Sequence, residues 1–222
     1  MKSPLNLIKS LLAVAGVAAV SAVSAAPASA FSFSNIAGGD TPGDAYVNSF
    51  TFDVFNLDSS VFFNIKNSGD AAAPSMFISK VLFDDNGYLS APSVNFSNIG
   101  EVAFSGGASN AQLPQGGNSF TTDYAFFSNN GAGNAFGVQA GESLGVIFSG
   151  NYNNVIFALN SGALKLGLHV QALPNDQSDS YISSSSGNTQ NTPEPLTMLA
   201  AGAAVGFGTM FKKQRDRAQK AE

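Results

Sequence analysis

Ser49-Phe50-Thr51-Phe52-Asp53-Val54-Phe55-Asn56 is followed by the turn residues Asp58-Ser59-Ser60 and then by Phe62-Phe63-Asn64-Ile65-Lys66. In the first run Phe50, Phe52 and Val54 recur every second residue, which places them on one face of an extended segment. The second run repeats the habit across a short turn, so the pair predicts a β-hairpin. Working outward, Met76 to Phe83 predicts another strand, with Ile78, Lys80 and Leu82 on one side and Phe77, Val81 and Phe83 on the other. Asp84-Asp85-Asn86-Gly87 ends it, because Asn-Gly tolerates the positive φ of a tight turn. Further strands are expected at Ser93 to Phe96, Val102 to Phe104, Phe120 to Phe127, Ser143 to Ser149, Val155 to Leu159 and Lys165 to Ala172.

No amphipathic helix of useful length is expected in this body. Short strands about ten residues apart, separated by Gly, Asn, Ser and Asp, predict an all-β fold, a single β-sandwich or jelly-roll-like domain. Gly106 to Gly117 and Ser128 to Gly133 read as long loops inside it. Ser178 to Thr192, with Ser183-Ser184-Ser185-Ser186-Gly187-Asn188, has the composition of a flexible tether. The expected organisation is an export segment over residues 1–30, the body over 31–177, the tether over 178–192 and a distinct tail over 193–222.

Composition bounds what such a body can do. Between residues 31 and 192, twelve acidic side chains face three lysines, Lys66, Lys80 and Lys165, a net charge of −9 against −5 for the whole chain. Nucleic-acid binding needs clustered cations to displace counterions and is excluded on that ground. The chain has no cysteine, which removes disulfides, thiol nucleophiles and thiolate metal sites. Stability must therefore come from packing, and 17 of the 19 phenylalanines lie in the body.

The two ends carry sorting information. Met1-Lys2 and Lys9 form a basic start, Leu11 to Val23 an apolar core, and Ala28-Ser29-Ala30 a small-residue cleavage site of the signal-peptide kind. Cleavage after Ala30 would start the mature chain at Phe31 and implies passage through Sec-type export machinery. At the other end Pro193-Glu194-Pro195 precedes an apolar run, Leu196 to Phe211, and then Lys212-Lys213-Gln214-Arg215-Asp216-Arg217. As a helix that run spans about 24 Å at ~1.5 Å per residue, a marginal crossing of a bilayer core of about 30 Å. Lys212, Lys213, Arg215 and Arg217 would hold its far end in the cytoplasm, leaving the body outside. The two prolines keep Thr192-Pro193-Glu194-Pro195 extended, the form a processing enzyme grips.

This order of motif, apolar stop and basic end resembles the bacterial PEP-CTERM sorting signal. Ala135 to Leu144, Gly167-Leu168-His169-Val170-Gln171 and Ser178-Asp179-Ser180-Tyr181 are also similar to a pattern upstream of such tails. With both ends included, the likeness covers about half the chain. The resemblance implies an exosortase as processing partner, a transient membrane anchorage through the tail helix and delivery to the cell surface. It further implies β-sandwich bodies and a link to extracellular polysaccharide, with no substrate assigned.

Candidate chemistry in the body is sparse. His169 is the chain's only histidine, and alternation turns it away from Leu166, Leu168 and Val170, toward the face of Lys165, Gly167 and Gln171. Ser178, Asp179 and Ser180 follow closely enough to fold back on it. Two readings stand at this point. In the first, His169, Gln171, Ser178, Asp179 and Ser180 form a structural polar cluster in a non-catalytic surface or matrix protein associated with exopolysaccharide or with copies of itself. In the second, His169 serves a small extracellular hydrolase or polysaccharide-modifying enzyme, although a Gly-x-Ser-x-Gly elbow is missing. The first is favoured, with no catalytic residue. Asp53 with Asp58, or Asp84 with Asp85, are the pairs a glycoside hydrolase would need. The loops at Asp40 to Asp44, Asp84 to Gly87 and Asp176 to Asp179 hold oxygen donors of the kind calcium accepts, but none matches an EF-hand loop. Solvated turn acids are the expectation there, with no cofactor and no metal; zinc lacks ligands, with one His and no Cys.

Overall fold

The computed structural model describes residues 28–36, 43–129 and 136–185. The export segment through residue 27, the last part of the expected tether, Pro193-Glu194-Pro195, the apolar run and its basic end lie outside them. Among the described residues no helix is long and apolar enough to cross a membrane.

Ten strands carry the fold: β1 (Ala28–Asn35), β2 (Phe50–Leu57), β3 (Ser60–Asn67), β4 (Phe77–Asp84), β5 (Ser90–Val94), β6 (Phe104–Ala108), β7 (Tyr124–Ser128), β8 (Glu142–Ser149), β9 (Lys165–Leu173) and β10 (Gln177–Ser183). They pair antiparallel in the order β5-β8-β3-β2-β1-β10-β9-β4-β7-β6. β1 is the corner: residues 28–32 pair with β2, and residues 33–35 pair with β10. The sheet therefore folds at β1 into two halves, β5-β8-β3-β2 and β10-β9-β4-β7-β6, which face each other as a sandwich. At the far seam β5 and β6 do not pair. There Asn95 stands in for a strand, its Nδ2 donating to the Phe104 carbonyl (2.7 Å) and its Oδ1 accepting from the Phe104 N–H (2.8 Å). The result is a nearly closed, all-β body.

The alternating phenylalanines explain why the halves stay together. Phe52 and Phe63 from one half, and Phe83 and Phe126 from the other, are buried in one core with Phe148. Phe83 lies 4.9 Å from Phe148 and 5.3 Å from Phe63, both in tilted or edge-on geometry, which aromatic quadrupoles favour. In β1 the buried side chains are Phe31 and Phe33, whereas Ala28, Ser29 and Ala30 are half-buried. Cleavage after Ala30 would shorten the strand while leaving its core residues in place.

Four sequence expectations need correction. Val155 to Leu159 is not a strand but the centre of α1 (Tyr152–Ser161). Val155, Ala158 and Leu159 are its buried side; Asn151 caps it by accepting from the Asn154 N–H, and Gly162 at φ 74° ends it in the left-handed region. Five consecutive apolar residues carry no period, so the caps decide. Second, the tether does not begin at Ser178, because β10 runs through Ser183 with Tyr181 fully buried. Third, Phe77 and Ile78 exchange faces. A β-bulge at Ser79 breaks the alternation, so Ile78 joins Val81 and Phe83 in the core while Phe77 shares the outer side with Lys80 and Leu82. Fourth, the strands expected at Val102 to Phe104 and at Phe120 to Phe127 begin only at Phe104 and Tyr124, and the first runs through Ala108 into the loop expected from Gly106.

Candidate functional site

The outer face of the second half gathers most of the singled-out residues. Neighbouring strands place Ser180, His169, Lys80 and Phe127 in one row across β10, β9, β4 and β7. His169 Nδ1 and Ser180 Oγ share a hydrogen bond of 3.1 Å. Beneath them Ser79, set free by its bulge, donates to the His169 carbonyl at 3.0 Å. Further along, Lys80 Nζ lies 5.9 Å from the centre of the Phe127 ring. His169 is 7% exposed and Ser180 1%. Burial lowers the imidazole pKa, and the charge of Lys80 adds to this against an opposing contribution from Asp179. The ring is therefore neutral at physiological pH.

Asp179 does not complete a triad. It pairs with Val170 whereas Ser180 pairs with His169, and successive strand residues point to opposite faces. Its carboxylate lies instead against Gly43, where a Cβ would stand 2.2 Å from Asp179 Oδ2. Tyr181, on the same inner side, donates its hydroxyl to the Gly43 carbonyl at 2.7 Å, and burial pushes its phenol pKa up, helped by Asp179. The Ser180 N–H, a group that an oxyanion would need, is given to Asp179 Oδ1 at 2.8 Å. Ser178 is exposed and Gln171 half-buried, two positions along from His169. Of the five residues expected to cluster, His169 and Ser180 are bonded to each other; Asp179 lies across the sheet.

A second polar cluster ties the β6–β7 connection to the sheet. Asp84 and Asp85, expected as solvated turn residues, are 5% and 3% exposed. Asp84 Oδ2 accepts from Lys165 Nζ (3.2 Å) and from the Thr121 N–H (3.1 Å), and Lys165 also donates to the Ser119 carbonyl (2.7 Å). Asp85 Oδ2 accepts from the Leu89 N–H, while the Asp85 N–H donates to Asp123 Oδ2. Burial raises the Asp85 pKa, and a hydrogen bond and charge shared with Asp123 raise it further against its backbone donors. Local chemistry explains the burial: Asn86 and Gly87 supply the turn, at φ 45° and 80°, and free the two carboxylates to serve backbone amides.

The other carboxylate pair is not a pair in space. Asp53 bonds Lys66 on the neighbouring strand, while Asp58 is exposed in the hairpin turn with φ 57°. Among the described residues no group of three or more His, Cys, Asp or Glu side chains could hold a metal ion; Asp40 lies outside them.

No protein-family profile and no curated protein matches the chain. A chain from a structure titled "pH-induced modulation of Streptococcus parasanguinis adhesion by Fap1 fimbriae" is similar at a TM-score of 0.40 and 13% identity, covering 75% of this chain and 99% of that one.

Proposed function

We propose that this is an exported, non-catalytic protein of the cell surface or extracellular matrix, associated there with exopolysaccharide. Its address rests on the sequence: an export signal ending at Ala28-Ser29-Ala30, and Pro193-Glu194-Pro195 before an apolar run and Lys212, Lys213, Arg215 and Arg217. In this reading Sec-type machinery exports the chain, the tail helix holds it briefly in the membrane, and an exosortase processes it. The sandwich body then acts outside as a binding or structural unit.

The observation that carries the non-catalytic reading is the buried His169–Ser180 pair. A nucleophilic serine must meet its substrate, and Ser180 is 1% exposed with its amide already bonded to Asp179. A base must also be oriented by a third group, and Asp179 alternates with Ser180 along β10, which turns its carboxylate to the other face. The pair instead fastens β9 to β10 where the chain leaves the body.

A turnover screen with polysaccharide, ester and peptide substrates tests this. The expected result is no hydrolysis above buffer by the purified protein. A defined turnover that disappears in His169→Ala, with circular dichroism unchanged, would establish the hydrolase instead.

A further inference from the structure

The β6–β7 connection, residues 109–123, lies across the outer face of the second half and encloses a groove of about 360 Å³. Its position is fixed from below. Gly167 has no side chain, and the space a Cβ would take is occupied by Leu113 Cδ2 at 2.8 Å and Phe120 Cζ at 3.0 Å. Those two side chains pack with Leu82 and Ala125 in a small second core. From the sides, Asp84 and Lys165 hold Thr121 and Ser119, and the Asp123 N–H donates to the Phe83 carbonyl at 2.8 Å. The groove is thus built on a backbone bonded to the sheet through residues 119–123, with the Ser109 N–H tied back to the Asp123 carbonyl.

The side chains along it are not used for that fastening. Asn110, Gln112, Thr121 and Thr122 line the groove with Leu113 and Phe120. Among the described residues no hydrogen bond engages the four polar side chains; the bonded group of Thr121 is its backbone N–H. Thr122 is 9% exposed, and its Oγ1 is a buried polar atom without a partner, as are Asn56 Oδ1, Asn64 Oδ1 and Ser143 Oγ elsewhere. An unmet buried hydroxyl costs stability, and here it stands beside a polar groove.

The chemistry of the lining selects a ligand class. No lining residue is charged, although twelve acidic residues lie between positions 31 and 192. Two carboxamides and the exposed Thr121 hydroxyl offer donors and acceptors together, and Phe120 and Leu113 offer apolar surface. A neutral ring that carries hydroxyls at its rim and C–H groups on its face satisfies all three conditions, and the volume is at the small end of the ~300–1,000 Å³ range of ligand sites. We infer that this groove binds one or two pyranose units of a neutral glycan. The inference rests on the polysaccharide-associated role proposed above and gives that role a location.

The test is calorimetric titration of the exported protein with neutral oligosaccharides of three to six units: α-glucan, β-glucan, galactan and mannan, with an anionic uronan alongside. At least one neutral oligosaccharide is expected to bind saturably, and the uronan more weakly. Asn110→Ala with Gln112→Ala, and separately Thr121→Val, should each weaken binding at least tenfold. Thr121→Val should also leave the unfolding temperature unchanged, which separates lost recognition from lost folding. Saturable neutral-glycan binding that survives both variants would overturn this site while sparing the glycan-associated role. No binding to any glycan would overturn both.

Discussion

The two halves of the sheet treat their outer faces differently. On the first half, Phe55 stacks on Phe62 across the β2–β3 pair at 5.4 Å, and Phe62 meets Phe96 edge-on at 5.4 Å. These rings cover one another, and Phe96 remains 43% exposed. Gly145 permits the arrangement, since a Cβ there would stand 1.7 Å from the Phe96 carbonyl. On the second half, Leu82, Ala125 and Gly167 are covered by Leu113 and Phe120 from a long connection. Both solutions shelter apolar surface, but only a covering segment brings walls of its own. A ligand groove needs walls, which is why the second half carries the candidate site and the first does not.

The largest expected effect comes from removing what the halves share. Phe148 is fully buried and touches Phe63 from its own half and Phe83 and Phe126 from the other. Phe148→Ala should cost about 3–5 kcal/mol, read as a lower urea midpoint, with both halves unfolding together. Unfolding of one half alone would show that they are independent units.

An intermediate effect separates the two faces through their ion pairs. Lys165 serves the buried Asp84 and the Ser119 carbonyl under the covering connection. Lys165→Met should cost about 1.5–3 kcal/mol, the range for hydrogen bonds to charged groups, and should speed proteolysis within residues 109–123. Lys66 pairs with Asp53 on the uncovered face with its side chain 41% exposed. Lys66→Met should change stability by under about 1 kcal/mol. Equal costs would remove the distinction between the faces.

The smallest effect is one of pH, with opposite signs at two sites of the second half. Asp85 titrates above its ordinary 3.8 in the folded state, so its contribution is full at lower pH and is lost as pH rises through the folded pKa. His169 titrates below its ordinary 6.5, so its contribution is full above 6.5 and is lost as pH falls through the folded pKa. Between these values the two slopes oppose each other. Unfolding temperatures from pH 4 to 7.5 should therefore show less acid loss in His169→Gln than in the parent, and less loss toward neutrality in Asp85→Asn. Parallel curves for parent and variants would contradict both assignments.

Which parts were legible in the sequence follows from range. The β2–β3 hairpin was readable because its alternation and its turn lie within eighteen residues, Ser49 to Lys66. β10 was not, because Ser178-Asp179-Ser180 has the composition of a linker and becomes a strand only by pairing with β9 and with β1; Asn35 meets Tyr181 from 146 positions away. α1 was hidden inside an apolar run, although Asn151 and Gly162 mark its ends. For the site, alternation placed His169 on the side away from Leu168, and proximity suggested Ser180. It could not assign Asp179 to the opposite face, since neighbours alternate only once residues 177–183 are a strand, and they read as a tether. Asn110 to Thr122 read as part loop and part strand; its use as a wall depends on Gly167, which is distant in sequence.

The central claim, an exported body delivered by processing at both ends, is tested most directly by the intact mass of the protein recovered outside cells of an exosortase-bearing host. The account predicts a chain that starts at Phe31 and ends before the apolar run Leu196 to Phe211. A recovered chain still running to Glu222 would contradict it.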